Sequence, residues 1–138
     1  MERNHTIQVG DIFTGSSSGE CGSSTTFYQV MRLRGKTLVD ISPIGCSFCV
    51  DDTCDPARSQ CRAYPKKDHF YDESHRIVTR AYFSTYGNEY CLQTVITKEN
   101  PRFREYFHPY KPEEIHRFSG YDGQFIIDRL GLKPKAEE

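Results

Sequence analysis

Apolar residues along this chain recur mostly at every second position, the period of a β-strand whose successive side chains alternate between two faces. From Thr26 to Leu33, Phe27, Gln29, Met31 and Leu33 fall on one face and Tyr28, Val30 and Arg32 on the other, with both faces partly apolar. Arg34-Gly35-Lys36 is a compact turn, and Thr37 to Ile44 follows as the hairpin partner. A second hairpin is predicted downstream. Arg76 to Phe83 alternates Ile77, Thr79, Ala81 and Phe83 against Val78, Arg80 and Tyr82, and Glu89 to Thr97 returns after the turn Ser84 to Asn88. Cys91 falls inside that alternating run and reads as a small sheet residue; nothing in the local sequence sets one of the five histidines beside it as a base.

The other segments are shorter. Ile7 to Thr14 reads as a strand broken by the turn chemistry of Gly10-Asp11, and the Gly/Ser-rich run from Gly15 to Thr25, which carries Cys21, predicts a flexible loop. After Asn100-Pro101, residues Arg102 to Tyr110 mix aromatic and basic side chains. Pro112 to Phe118 predicts one short helical turn, Gly120 to Gly123 a turn, and Gln124 to Leu130 a last strand or a short helix. Five or six strands with little helix give a mainly β fold, either a small curved antiparallel sheet or an SH3-like or OB-like barrel. The expected organisation is a single domain over residues 1–132, with 133–138 as a disordered tail.

Composition then qualifies the core. The chain is 36% hydrophobic, low beside the roughly 45–50% of a typical globular domain on a similar count, so the core is expected to be thin and to need support. Aromatic residues, 13% of the chain, supply much of the area that can be buried. A net charge of -1 argues against a strongly basic nucleic-acid sleeve and against an acidic DNA mimic. Residues 1–6 lack the apolar run of a secretory signal, and no window approaches a membrane span, so the expectation is a protein of a reducing compartment, the cytoplasm of a host cell.

Candidate chemistry gathers between Cys46 and Cys61, where Cys46, Cys49, Cys54 and Cys61 are spaced C-x2-C-x4-C-x6-C. Thiolates at this spacing can wrap one zinc ion tetrahedrally and hold a polar loop that has too little apolar surface to fold alone. The expected cofactor is therefore a structural zinc, clipping a loop inserted at 46–61 between strands. Unmetallated or redox-active thiols, disulfides and an iron–sulfur cluster are the alternatives. His69 or His75 could replace one cysteine as ligand, and Asp51, Asp52 and Asp55 read as solvated loop residues. The spacing resembles a retroviral-type zinc knuckle, with Cys54 where that pattern has His and with a longer last interval.

Basic and aromatic residues interleave just after the cysteines, at Arg62, Tyr64, Lys66, Lys67, His69, Phe70 and Tyr71, and again at Arg102, Phe103, Arg104, Tyr106 and Phe107. The first run is the predicted partner-binding surface, since Tyr and Arg dominate protein interfaces; stacking on nucleic-acid bases is the alternative use of the same residues. Gly15 to Gly19 has neither the Lys nor the following helix of a phosphate-binding loop, and neither Glu113-Glu114 nor Asp51-Asp52 is spaced to converge. No catalytic residues are predicted, and the chain does not read as an enzyme.

Gly10-Asp11-Ile12-Phe13, with Phe27-Tyr28-Gln29-Val30 and Ile41-Ser42-Pro43-Ile44, resembles the opening of small β-rich accessory proteins of bacteriophages and mobile elements. That resemblance covers about the first third of the chain. It implies a compact, non-enzymatic protein, some such proteins being inhibitors of host defence such as anti-CRISPR proteins. The function expected is a binding protein that occludes a surface of a host protein or ribonucleoprotein, the alternative being a small zinc-stabilised nucleic-acid-binding module.

Overall fold

A computed structural model of the chain describes residues 7–19, 22–51, 54, 58–71, 76–96 and 105–132. It is mainly β, with eight strands and one helix among those residues: β1 (Ile12–Gly19), β2 (Gly22–Arg34), β3 (Leu38–Cys49), β4 (Cys61–Phe70), β5 (Ile77–Ser84), β6 (Glu89–Thr94), β7 (Tyr106–Pro109), β8 (Arg117–Phe118) and α1 (Gly120–Leu130). The strands form one sheet in the order β2-β1-β7-β6-β5-β3-β4-β8, and β2 also pairs with β3, so the first six in that order close a cycle of hydrogen-bonded neighbours.

By its internal contacts the chain divides into two compact units, one made of Met1–Gly15, Phe27–Gly45 and Lys67–Tyr110, the other of Ser16–Thr26, Cys46–Lys66 and Lys111–Glu138. In the first unit both predicted hairpins are present. Phe27 to Arg34 pairs with Leu38 to Ile44, with a bulge at Met31 between Val30 and Arg32, and Thr79 to Ser84 pairs with Glu89 to Thr94. Alternation then selects the core: Phe13, Val30, Val39, Ile41, Leu92 and Phe107 are buried together, with Ile7, Tyr28, Ile77 and Ala81 packed against them. Asp40 is also buried, and its carboxylate accepts from Arg34, 2.8 Å away, and lies 3.6 Å from Arg32, which compensates a charge that would otherwise be costly inside. The turn expected at Gly10-Asp11 is there, tied to β2 by Gly10 N–H donating to the Val30 carbonyl and Val30 N–H donating to that of Asp11.

The second unit has its own small core of Val50, Cys54 and Cys61 with Phe48, Phe118, Ile126, Ile127 and Leu132 against it. Phe48 and Phe118 meet edge to face, 5.1 Å between ring centres. Helix α1 ends where Gly131 takes a left-handed φ of 67°; Gly131 and Leu132 both donate backbone N–H groups to the Ile127 carbonyl. The Leu132 bond is the six-to-one bond of a Schellman motif and the Gly131 bond the five-to-one bond of the αL motif, and Leu132 and Ile127 pack in the same cluster, the apolar contact that usually accompanies such an end.

Several local expectations change. The Gly/Ser-rich run from Gly15 to Thr25 is not a loop over its described part, because β1 extends to Gly19 and β2 begins at Gly22. The segment at 46–61 is not wholly a loop either: β3 continues through Cys46 and Cys49, held by Phe48 against Phe118, and Cys61 opens β4. In place of a helical turn at Pro112 to Phe118 there is a turn closed by Glu114 N–H to the Lys111 carbonyl, followed by β8. Gly120 to Gly123 is the first turn of α1 rather than a separate turn. Cys21, His75, Asp52, Asp55, Arg102, Phe103, Arg104 and the tail at 133–138 lie outside the described residues.

Candidate metal centres

The five described cysteines are all free thiols. In the second unit β3 supplies Cys46 and Cys49, both half-buried, while Cys54 and Cys61 are buried in the small core. Cys54 is placed by a turn in which its N–H donates to the Asp51 carbonyl, 3.0 Å away, and Cys61 by pairing of β4 with β8, opposite Phe118. Burial pushes the Cys61 thiol up to about 11, the charges of Cys54, Cys46 and Cys49 push it the same way, and only a hydrogen bond from the Phe118 backbone opposes them. Burial likewise raises Cys46, partly offset by the nearby ammonium of Lys66. Cys54, Cys46 and Cys49 therefore lie near enough to Cys61 for their charges to reach it.

A polar network borders Cys49. Its thiol donates to the Tyr64 hydroxyl at 3.6 Å and to the Asp51 carboxylate at 3.9 Å. Asp51 is paired with Arg62 at 3.5 Å, and the Arg62 guanidinium lies over the Tyr64 ring, 5.0 Å from its centre. The hydrogen bond to Cys49 raises the Tyr64 hydroxyl above its ordinary value, with burial and the Cys49 and Asp51 charges adding and Arg62 opposing. Were Cys49 a thiolate, the Tyr64 hydroxyl would turn and donate to the sulfur, the role of residues that orient metal ligands from behind. Asp51 is thus a working neighbour of the cysteines, where a solvated loop residue was expected.

The predicted partner-binding run divides along β4. Arg62, Tyr64 and Lys66 belong to the second unit and surround its cysteines. Lys67, His69, Phe70 and Tyr71 belong to the first unit and are exposed, Tyr71 at 61%. Of the proposed substitute ligands, His69 is exposed on that strand.

A different cluster stands in the first unit, unforeseen in the sequence. Glu89 and Cys91 are two residues apart on β6 and so share a face, and β7 pairs with β6 through Leu92 with Phe107 and Gln93 with Tyr106. That register, carried one residue further, sets His108 across from Cys91, and its Nδ1 is 3.5 Å from the Cys91 sulfur. A carboxylate oxygen of Glu89, the Cys91 sulfur and a ring nitrogen of His108 all lie within 4.8 Å of one another, so the three could hold a metal ion. Cys91 is fully buried, Glu89 half-buried and His108 exposed. The neighbour Tyr82, opposite Cys91 on β5, is raised above its ordinary value by burial, then by the Cys91 charge and a hydrogen bond to Cys91. The period-two spacing of Glu89 and Cys91 was visible beforehand; the strand that brings His108 was not.

Comparison of the chain with protein families, curated proteins and solved structures finds no match. Among the described residues, no helix is long and apolar enough to cross a membrane.

Proposed function

We propose that the chain is a non-enzymatic binding protein, braced by zinc at Cys46, Cys49, Cys54 and Cys61, that acts by covering a surface of a larger protein or ribonucleoprotein. The observation that carries this reading is that four free thiols belong to one unit, Cys54 and Cys61 buried and Cys46 and Cys49 half-buried, with the charges of the other three raising the Cys61 thiol. A divalent cation reverses that penalty by coordinating the thiolates, and four of them fill a tetrahedral shell with no position left for a substrate. Zinc would in this way supply the support that a small core of three buried residues lacks.

Partner contact is assigned to the exposed end of β4, where Phe70 and Tyr71 present apolar area beside the cation Lys67 and the imidazole of His69. The class of partner follows the resemblance to phage accessory proteins. In the fold, the words that carry that resemblance contribute the buried Phe13, Phe27, Val30, Ile41 and Ile44, so they bear on the sheet more than on its partner.

Metal analysis with native mass spectrometry, on protein purified without chelator, tests the zinc. Cys46→Ser or Cys49→Ser is expected to release it, and wild-type protein that keeps its fold while holding no metal at these cysteines would defeat the reading. Partner capture from host lysate that is lost in a Phe70→Ala, Tyr71→Ala variant tests the surface. Binding of DNA or RNA that weakens steeply from low to moderate salt would replace a protein partner by nucleic acid.

A further inference from the structure

The geometry points to Glu89, Cys91 and His108 as a second metal site, for a divalent ion of the zinc class held by one carboxylate, one thiolate and one imidazole, with a fourth position open to water or a small anion. It belongs to the first unit and is independent of the four-cysteine cluster. Bonds of about 2.3 Å to sulfur and 2.0–2.1 Å to nitrogen, meeting at a tetrahedral angle, place the two ligand atoms roughly 3.5–3.6 Å apart. The observed separation of Cys91 Sγ and His108 Nδ1 is 3.5 Å.

A thiol–imidazole hydrogen bond would give the same distance, so the third group decides between them. A proton shared by Cys91 and His108 needs only those two groups, whereas here a carboxylate oxygen lies within 4.8 Å of both. A divalent cation at that point would use all three donors, with one thiolate and one carboxylate neutralising its two charges. The mixed sulfur, nitrogen and oxygen set suits zinc better than magnesium or calcium, which take oxygen ligands.

The surroundings fit as well. Each donor is fixed by a strand, Glu89 and Cys91 by β6 and His108 by β7, and β7 is itself paired to β1 through Thr14 opposite His108. Tyr82, hydrogen-bonded to Cys91, supports the sulfur from the neighbouring strand. Burial of Cys91 with exposure of His108 leaves the solvent side for the fourth ligand. Three protein donors and one exchangeable position is the pattern of an open zinc site, in contrast to a closed shell of four thiolates.

Titration of metal-free full-length protein with Co²⁺, followed by absorption, tests the assignment. Co²⁺ bound by one thiolate gives a weaker sulfur-to-metal charge-transfer band than Co²⁺ bound by four, so the two sites are read separately, and failure of the four-cysteine reading leaves this one measurable. The expected result is a one-thiolate species that disappears in His108→Ala and in Glu89→Gln. Those side chains are exposed and half-buried, so both variants should fold; Cys91→Ser, at a fully buried position, is the secondary check. Azide should shift the visible bands of this species alone. The site is overturned if wild-type protein shows no one-thiolate species, or if His108→Ala keeps it unchanged; insensitivity to azide would refute the open position.

Discussion

Gln29, buried on β2, clamps Asp68 on β4 from both sides: its side-chain amide donates to the Asp68 carboxylate at 2.8 Å and its carbonyl oxygen accepts the Asp68 backbone N–H at 2.7 Å. The clamp holds Asp68 at a φ of 69°, in the left-handed region that costs most residues energy and that Asn and Asp tolerate best. Replacing Gln29 by Leu removes both bonds while keeping the volume, and should lower stability by about 1–2 kcal/mol. Asp68→Asn, which tolerates the same backbone and keeps an acceptor, should stay within about 0.5 kcal/mol of wild type. Urea midpoints at unchanged m-value would measure both.

Gly123 is required by a close approach. A Cβ there would overlap the Ser59 carbonyl oxygen and come within 2.8 Å of that of Phe118. Backbone atoms cannot give way as a flexible side chain can, so Gly123→Ala should cost about 3 kcal/mol by forcing α1 outward. Gly45→Ala meets only ordinary contacts at 3.8 Å or more and is the control. Equal melting temperatures for the two variants would contradict this account.

Metal removal should act on the second unit first. If zinc supports the cluster of Val50, Cys54 and Cys61, chelation should speed amide exchange over residues 46–51, 58–66 and 111–132 while the hairpin of residues 27–34 and 38–44 keeps its protection. Hydrogen-exchange mass spectrometry with and without chelator reads both regions in one experiment. Uniform protection after complete removal of metal would show that the cysteine core stands without it.

Acid should destabilise the protein through His116. Burial holds its imidazole below the ordinary value, Arg62 adds to the effect and Glu114 opposes it. A folded value below the unfolded one of about 6.5 means that the unfolded chain binds more protons between the two. The contribution of His116 is therefore fully present above about pH 6.5 and is lost as pH falls through the folded value. His116→Gln removes the titration, so its melting temperature should fall less than that of wild type between about pH 7.5 and about pH 5.5. Parallel curves would assign the pH dependence to other groups.

The two hairpins were legible because alternation and turn residues lie within one short stretch, as in Ile77 to Phe83 followed by Tyr86-Gly87-Asn88. The strand character of Gly15 to Gly19 was not, since glycine and serine carry no apolar alternation; pairing to neighbours makes that segment a strand. β7 is four residues long, and its pattern of exposed Tyr106 and His108 around buried Phe107 was read as an aromatic and basic mixture. Gly120 and Gly123 suggested a turn because their composition does; the need at Gly123 for room beside Ser59 is a tertiary fact. At the sites, the cysteine spacing was readable along the chain, whereas Glu89, Cys91 and His108 meet only once β6 and β7 are in register.

The pairing of β1 with β7 joins residues far apart in the chain: the Thr14 hydroxyl donates to the His108 carbonyl across a separation of 94 residues. During synthesis β1 must wait, with an edge open to wrong partners, until β7 emerges. Closing so long a stretch carries an entropic penalty before the contact rewards it, which makes this step slow beside the local hairpins. The pairing of β6 with β7, which sets His108 opposite Cys91, spans far less chain, so that group of side chains can assemble before the cycle closes and be locked when β1 arrives.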